Sequence, residues 1–462
     1  MNNKRLTSFL AFLAFVCVVA SCKSLPDAES LPADPAKATP AVATTRGMLD
    51  NKQAAQLLRK RWANASPDLK QLAVLEEQAT GAPLIPGNKV TLLFDGPATM
   101  REMMAAARDA TSSINLETYI FDRDPIGMQF AELLMEKRRQ GVIVNIIADG
   151  VGTLATPKEF FERLRGAGIN VVIFNPVNPL QRPGAWQLNN RDHRKIMVVD
   201  GRIGFTGGIN ISETYANSSL FRSRKKPETV DAEQVGWRDT HIRIEGPAVA
   251  ALQYAFIDNW VHQDAGELPP AEYFPRLAPA GDKVMRVLAT SPERDSEIYK
   301  SLMVAMNEAK KSIHITSAYF VPDRQIVDSL VAAAKRGVDV KLVLPGVSDH
   351  DLIMYAGQAF YDELLAGGVK IYQLQVAVLH AKTAVIDGIW STIGSANIDR
   401  RSFIHNYELN VVVLDPAFGK DMEAAFNEDL RSSKEVTLDQ WRHRPWKDRL
   451  REFIGRLAEY WI

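Results

Sequence analysis

Two histidines, two lysines and two aspartates recur at one spacing in this chain. His193, Lys195 and Asp200 stand as H-x-K-x-x-x-x-D in DHRKIMVVDG, and His380, Lys382 and Asp387 repeat the pattern in LHAKTAVIDG. The agreement continues past the aspartates. Gly207 and Gly394 lie 14 residues after their histidines, and Asn210 and Asn397 lie 17 residues after them. A single copy fits any strand with polar ends. Two copies in register mark an internal duplication. Together they supply two imidazoles, two ammonium groups and two carboxamides, the set that phosphoryl transfer through a covalent intermediate would use. A lone histidine in a strand is ordinarily a satisfied polar group. That reading is kept for His241, His262, His314, His350, His405 and His443.

The elements that must position these residues are also duplicated. In the first half VTLLFDG reads as a strand, ATMREMMAAARDA as a helix, INLETYIF as a strand, MQFAELLMEKRRQG as a helix and VIVNIIADG as a buried strand. In the second half EIYKSLMVAMNEAKK, SIHITSAYFV, IVDSLVAAAKRG and VDVKLVLPG read as helix, strand, helix and strand. Tyr119 of ETYIF corresponds to Tyr319 of SAYFV. Alternating β and α segments predict an α/β fold of sheets with helices on their faces.

NNRDHRKIMVVDGRIGFTGGINI and LHAKTAVIDGIWSTIGSANIDRRSF strongly resemble the phospholipase D superfamily, and within it the bacterial cardiolipin synthase-like branch. VGWRDTHIRIEGP, AYFVPD and LPGVSDH add to the resemblance, which covers about residues 88–430. It implies two tandem phospholipase D-type domains, residues 88–270 and 284–430, each a mixed sheet flanked by helices. They would be related by pseudo-two-fold symmetry, with the active site at their interface.

The resemblance also implies the mechanism. One imidazole attacks phosphorus and forms a phosphohistidine. The other protonates the leaving alkoxide, then deprotonates the incoming alcohol or water. His193 is assigned as nucleophile and His380 as general acid and base, with the reverse left open by the pseudo-symmetry. Lys195 and Lys382 would neutralise the phosphate oxygens, and Asn210 and Asn397 would donate hydrogen bonds to them. Ser395 could add a donor on one side only, because Gly208 stands at its place in the first copy. Each imidazole needs a partner on its other nitrogen. By resemblance this is an acidic residue on the following strand: Glu408, 28 residues after His380, and Asp239, 46 residues after His193. The longer spacing contains an insert, roughly residues 215–233, with the basic cluster Arg222, Arg224, Lys225 and Lys226. It would meet anionic headgroups or form a solvated loop. Asp200 and Asp387 are expected to hold turns and take no part in proton transfer. No zinc-type His/Cys spacing and no Walker loop occurs, so neither metal nor cofactor is expected.

The N-terminus departs from the branch, which commonly carries a pair of transmembrane helices. MNNKRLTSFLAFLAFVCVVASC has a basic start and an apolar run from Phe9 to Ala20, too short to span a bilayer comfortably. It reads as a signal peptide, residues 1–21. Val19-Ala20-Ser21-Cys22 resembles a lipobox, which would leave Cys22 lipidated and hold the protein at a membrane surface. The expected location is the periplasmic face of the bacterial envelope, at the outer membrane. Residues 1–21 hold Lys4 and Arg5 and no acidic residue, so their removal leaves 53 basic against 55 acidic side chains. This near-neutral balance argues against broad nucleic-acid binding. Cys17 leaves with the signal peptide, so the mature chain can form no internal disulfide. Residues 22–46, rich in Pro, Ala and Thr, read as a disordered tether, and residues 47–87 as a helical adjunct.

Residues 431–462 read as an amphipathic helical tail. Trp446, Leu450, Phe453, Leu457 and Trp461 recur there at helical spacing, with Arg449, Arg451 and Arg456 between them. Packing against the catalytic body is expected of such a stripe, with a membrane interface as the alternative. Three reactions would share this active site: phosphatidyl transfer between two phosphatidylglycerols, phospholipid hydrolysis, and cleavage of other phosphodiesters. An anionic phospholipid at a membrane surface is the expected partner. No protein partner can be inferred.

Overall fold

The helices start where short polar side chains can satisfy their free N–H groups. Asp95, Asp124, Asp323 and Asp415 cap the helices Gly96–Asp109, Pro125–Arg139, Arg324–Lys335 and Pro416–Arg431, each accepting from the N–H three residues on. Proline occupies the first turn of three of them, where no N–H is needed. The computed structural model describes residues 24–31, 39–63, 66–178, 180, 187, 189–216, 236–263, 265–293 and 296–458.

The first half contributes strands β1 (Ile85–Leu93), β2 (Ser113–Thr118), β3 (Ile143–Asp149), β4 (Asn170–Phe174), β5 (Arg191–Asp192), β6 (Ile196–Val199), β7 (Ile203–Gly207), β8 (Trp237–Arg238) and β9 (His241–Glu245). The second contributes β10 (Lys283–Thr290), β11 (Ser312–Ser317), β12 (Asp339–Pro345), β13 (Lys370–Leu374), β14 (Val378–Leu379), β15 (Lys382–Ile386), β16 (Trp390–Gly394), β17 (Asn406–Leu414) and β18 (Ser433–Val436). One mixed sheet runs β18-β13-β12-β11-β15-β16-β17-β10-β1-β9-β7-β6-β2-β3-β4. Outward from the β10–β1 contact, both arms follow one plan: four antiparallel strands that end in the motif hairpin (β7–β6 or β16–β15), then three parallel strands fed by helices. The mixed α/β sheet with flanking helices therefore holds a domain repeated twice, and the repeats share one continuous sheet. Val385, Ile393, Leu409 and Val411 of the second half join Ile196, Val198, Ile242 and Ile244 of the first in one buried cluster between the motif hairpins.

Two segments, the tether and the tail, differ from the sequence expectation. The presumed disordered tether is packed where it is described. Leu25, Ala28 and Leu31 lie on the second half's core, the Ala28 N–H donates to Gln325 Oε1 at 2.6 Å, and Val42 is fully buried. Its few apolar residues and its backbone hydrogen bonds to Leu84 suffice to order it without any periodicity. The adjunct's helices, Asn51–Arg61 and Pro67–Thr80, likewise cover the second half. Glu76 is buried in an ion pair with Arg286, and Trp62 Nε1 donates to the Leu414 carbonyl.

The tail opens with β18, which adds an antiparallel edge to the sheet. Its last helix, Trp446–Ala458, does not bury the apolar stripe: Trp446, Leu450, Phe453 and Leu457 are all exposed. Trp461, Cys22 and the basic cluster Arg222, Arg224, Lys225 and Lys226 lie outside the described residues. Among the described residues no helix is long and apolar enough to cross a membrane.

Candidate active site at the interface of the halves

Each motif histidine follows a two-residue strand that pairs with the other half. β5 lies parallel to the start of β17, and the His193 N–H donates to the Tyr407 carbonyl at 2.9 Å. β14 lies parallel to β8, and the His380 N–H donates to the Arg238 carbonyl at 2.8 Å. The next residue on each partner strand is the carboxylate. His193 Nδ1 is 3.0 and 3.1 Å from the two Glu408 oxygens, and His380 Nδ1 is 2.7 Å from Asp239 Oδ2. Chain order pairs Glu408 with His380 and Asp239 with His193. The structure exchanges them, because the strand that follows each motif in its own half runs beside the other half's histidine.

The exchange places both histidines, both lysines and both carboxylates in one buried cluster. A carboxylate anion on Nδ1 fixes the tautomer with the proton there and leaves Nε2 as the free nitrogen. Burial pulls the His193 imidazole down to about 4, against the opposing pull of Glu408, so it rests neutral. Burial and Lys382 hold His380 well below the ordinary imidazole value. Desolvation also lowers Lys195 to about 7 and Lys382 to about 8. Lys195 Nζ donates to the His193 carbonyl at 2.6 Å, and Lys382 Nζ donates to that of His380.

The two carboxylates are not equivalent. Burial alone would raise Glu408, but His193, Lys195 and Ser395 hold it down at about 2. It accepts from His193, from the Ser395 hydroxyl and from Asn406 Nδ2. Asp239 accepts from His380 and from the Thr240 N–H, and burial raises it to about 6 against the pull of Lys382. Ser395 therefore does not face a phosphate, as the sequence suggested. It is fully buried beneath Glu408, its hydroxyl oxygen accepting from the Leu409 N–H. Gly208 has no room for a counterpart, since a Cβ there would meet Asp239 Oδ1 at 2.1 Å.

Asn210 and Asn397 are both buried. Asn210 accepts from the Ile120 N–H, and one of its amide hydrogens goes to the Tyr215 hydroxyl. Asn397 Oδ1 has no partner among the described residues, and its side chain lines a cavity of about 30 Å³ with Lys382. Asp200 and Asp387 stand at the far ends of β6 and β15, with φ of 53° and 54°. Asp200 accepts from the N–H groups of Thr111, Ser112 and Ser113, and Asp387 from those of Lys310, Lys311 and Ser312. Each closes the turn that starts β2 or β11.

Sequence reasoning assigned no role to the aromatic walls. Tyr119 meets His193 edge-on at 5.1 Å. Around His380 stand Trp237 at 5.1 Å, Tyr215 at 5.4 Å and Tyr319 at 6.4 Å. The Tyr319 hydroxyl donates to Asp349 at 2.9 and 3.0 Å, which places a carboxylate on the His380 side. LPGVSDH carried that aspartate, but only the fold brings it beside Tyr319. Arg238 locks the same side: its guanidinium grips Asp429 at 2.6 and 2.9 Å and lies 3.8 Å from the Phe94 ring centre.

Known proteins resemble this chain in sequence and fold. The family described as "Cardiolipin synthase, PLD-like domain" matches residues 102–220 and again 302–430. The cardiolipin synthase of Geobacillus kaustophilus is 35% identical over 396 residues, spanning 85% of this chain and 76% of that protein. The major cardiolipin synthase ClsA of Bacillus subtilis is 33% identical over 375 residues, 80% of this chain and 74% of that one. Among solved structures, phosphatidylserine synthase of Haemophilus influenzae shares the fold, with a TM-score of 0.62 at 12% identity over 85% of this chain and 97% of that one. With its doubled motif, its doubled domain and relatives spanning most of its length, the chain belongs to the cardiolipin synthase family of phospholipase D-like enzymes.

Proposed function

We propose that this enzyme is a phosphatidyltransferase that joins two phosphatidylglycerols into cardiolipin and releases glycerol. The observation that carries the reading is the crossed pair of dyads, His193–Glu408 and His380–Asp239, with a lysine beside each. His193 Nε2 attacks the phosphorus of the first lipid, the bond from phosphorus to the glycerol oxygen breaks, and His380 gives that oxygen its proton. A hydroxyl of the second lipid then passes its proton to His380 and attacks, and the phosphorus–nitrogen bond breaks. Lys195 and Lys382 hold the phosphate oxygens through both steps. The entering phosphodiester anion is also the counter-charge that lets the buried His380 take up its proton. Names of relatives at 33–35% identity over most of the chain support the substrate class.

Lipidation of Cys22 and an outer-membrane location facing the periplasm complete the reading, supported by the sequence VASC after a short apolar run. The test is product analysis with phosphatidylglycerol vesicles. Cardiolipin with equal glycerol is the expected result, and phosphatidic acid alone would make the enzyme a hydrolase. His193→Ala and His380→Ala should each abolish turnover without unfolding the protein. Near-normal activity in either variant sinks the assignment.

A further inference from the structure

The helix Trp446–Ala458 is turned inside out for a helix bathed in water. Trp446, Leu450, Phe453, Ile454 and Leu457 fall in one sector about 100° wide at 3.6 residues per turn. All five point outward, 49 to 68% exposed. The opposite side, which holds Glu452 and Gly455, is the one that meets the protein. A Cβ on Gly455 would touch Ala356 N of helix Asp351–Gln358 at 2.5 Å, and Glu452 is buried in its ion pair with Arg444. An amphipathic helix seated on a water-soluble body packs its apolar side inward. Here the polar side is packed, and the apolar one is left without a protein partner among the described residues. At the same helical angle, Lys447 and Arg451 border the apolar sector on one side, and Arg449 and Arg456 on the other.

The helix's position fits this orientation. Helix Asp351–Gln358 starts two residues after Asp349, which holds Tyr319 beside His380. On the same half, Arg456 lies within electrostatic reach of Glu363, and Glu363 pairs with Arg324. The neighbouring Gln325 holds Ala28, six residues after Cys22. The apolar helix, the segment following the lipobox and the His380 side of the cleft are thus linked through a few contacts.

We propose that Trp446–Ala458 lies in the surface of an anionic bilayer, its apolar sector among the acyl chains and its basic borders among the headgroups. Its purpose rests on the phospholipid reading above: it seats the cleft over the substrate layer. The test does not use turnover. The mature chain from residue 22 carrying Cys22→Ser, so that neither the signal peptide nor an acyl chain contributes, is floated with vesicles of phosphatidylcholine with and without phosphatidylglycerol. The parent should bind the phosphatidylglycerol vesicles and be released by salt. Leu450→Glu with Phe453→Glu should weaken binding at least about tenfold, with unchanged circular dichroism. Lys447→Glu with Arg456→Glu, which leaves the apolar side intact, should weaken it in proportion to phosphatidylglycerol content. Equal binding by parent and both variants overturns the proposal. So does a parent dimer that Leu450→Glu with Phe453→Glu splits into monomers, because the covering surface is then a second copy of the chain.

Discussion

Glu408 and Asp239 do the same work for different histidines, but they differ in how firmly they hold their charge. With three donors and a value near 2, Glu408 stays ionised at any working pH. Asp239, raised to about 6, gains its proton as pH falls through that value, and His380 then loses its anionic partner. The acid limb of the rate profile should therefore belong to Asp239. Asp239→Asn should lower the plateau by about 10² to 10⁴ and abolish the limb near pH 6, and Glu408→Gln should lower the plateau and keep the limb. A limb that disappears in Glu408→Gln instead would reverse the assignment. On the alkaline side the sign is opposite. Lys195 near 7 and Lys382 near 8 lose their charge as pH rises, which weakens capture of the phosphate. Because kcat/KM reports the free enzyme, it should fall above about pH 7. The bound phosphate restores the lysines' charge, so kcat should hold to a higher pH. Profiles of both constants on a soluble short-chain phosphatidylglycerol check this.

At the scale of elements, each motif strand is pinned at one end by an imidazole and at the other by an aspartate. Asp200 and Asp387 sit in the left-handed region and gather three backbone N–H groups each, tying the motif hairpin to the start of β2 or β11. Asp200→Ala should cost about 2 kcal/mol or more in stability and leave turnover per folded molecule largely intact. Urea unfolding beside specific activity separates the two. A stable protein with lost turnover would move Asp200 into the chemistry. The duplication was legible because H-x-K-x-x-x-x-D and the β/α alternation are local patterns. The exchange of Glu408 and Asp239 was not, because it depends on β5 and β14 finding β17 and β8 across the interface. Periodicity likewise revealed the stripe of the last helix but not the side it would face, which Gly455 and Glu452 decide. The segment before Met48 has no period at all. Its described residues are held by single contacts such as that from Ala28 to Gln325.

For the whole molecule, the exchange makes the halves inseparable. β1 and β10 join them in one sheet, one apolar cluster spans both motif hairpins, and each imidazole takes its carboxylate from the opposite half. Arg238 reinforces the joint, since it leaves the first half to meet Asp429 in the second with both groups fully buried. Removing one partner of such a pair leaves an uncompensated buried charge, so Arg238→Met should destabilise by about 3 to 5 kcal/mol. Arg238→Met with Asp429→Leu should recover much of that loss, as a double-mutant cycle in urea would read. A complete site within one chain also has a stoichiometric consequence. If His193 of one molecule worked with His380 of another, mixing His193→Ala with His380→Ala protein would regenerate intact sites and activity. Because the dyads close within a single chain, the mixture should stay as inactive as either variant alone at every concentration. Recovery of turnover on mixing would require the halves to exchange between molecules, which the continuous β10–β1 junction opposes.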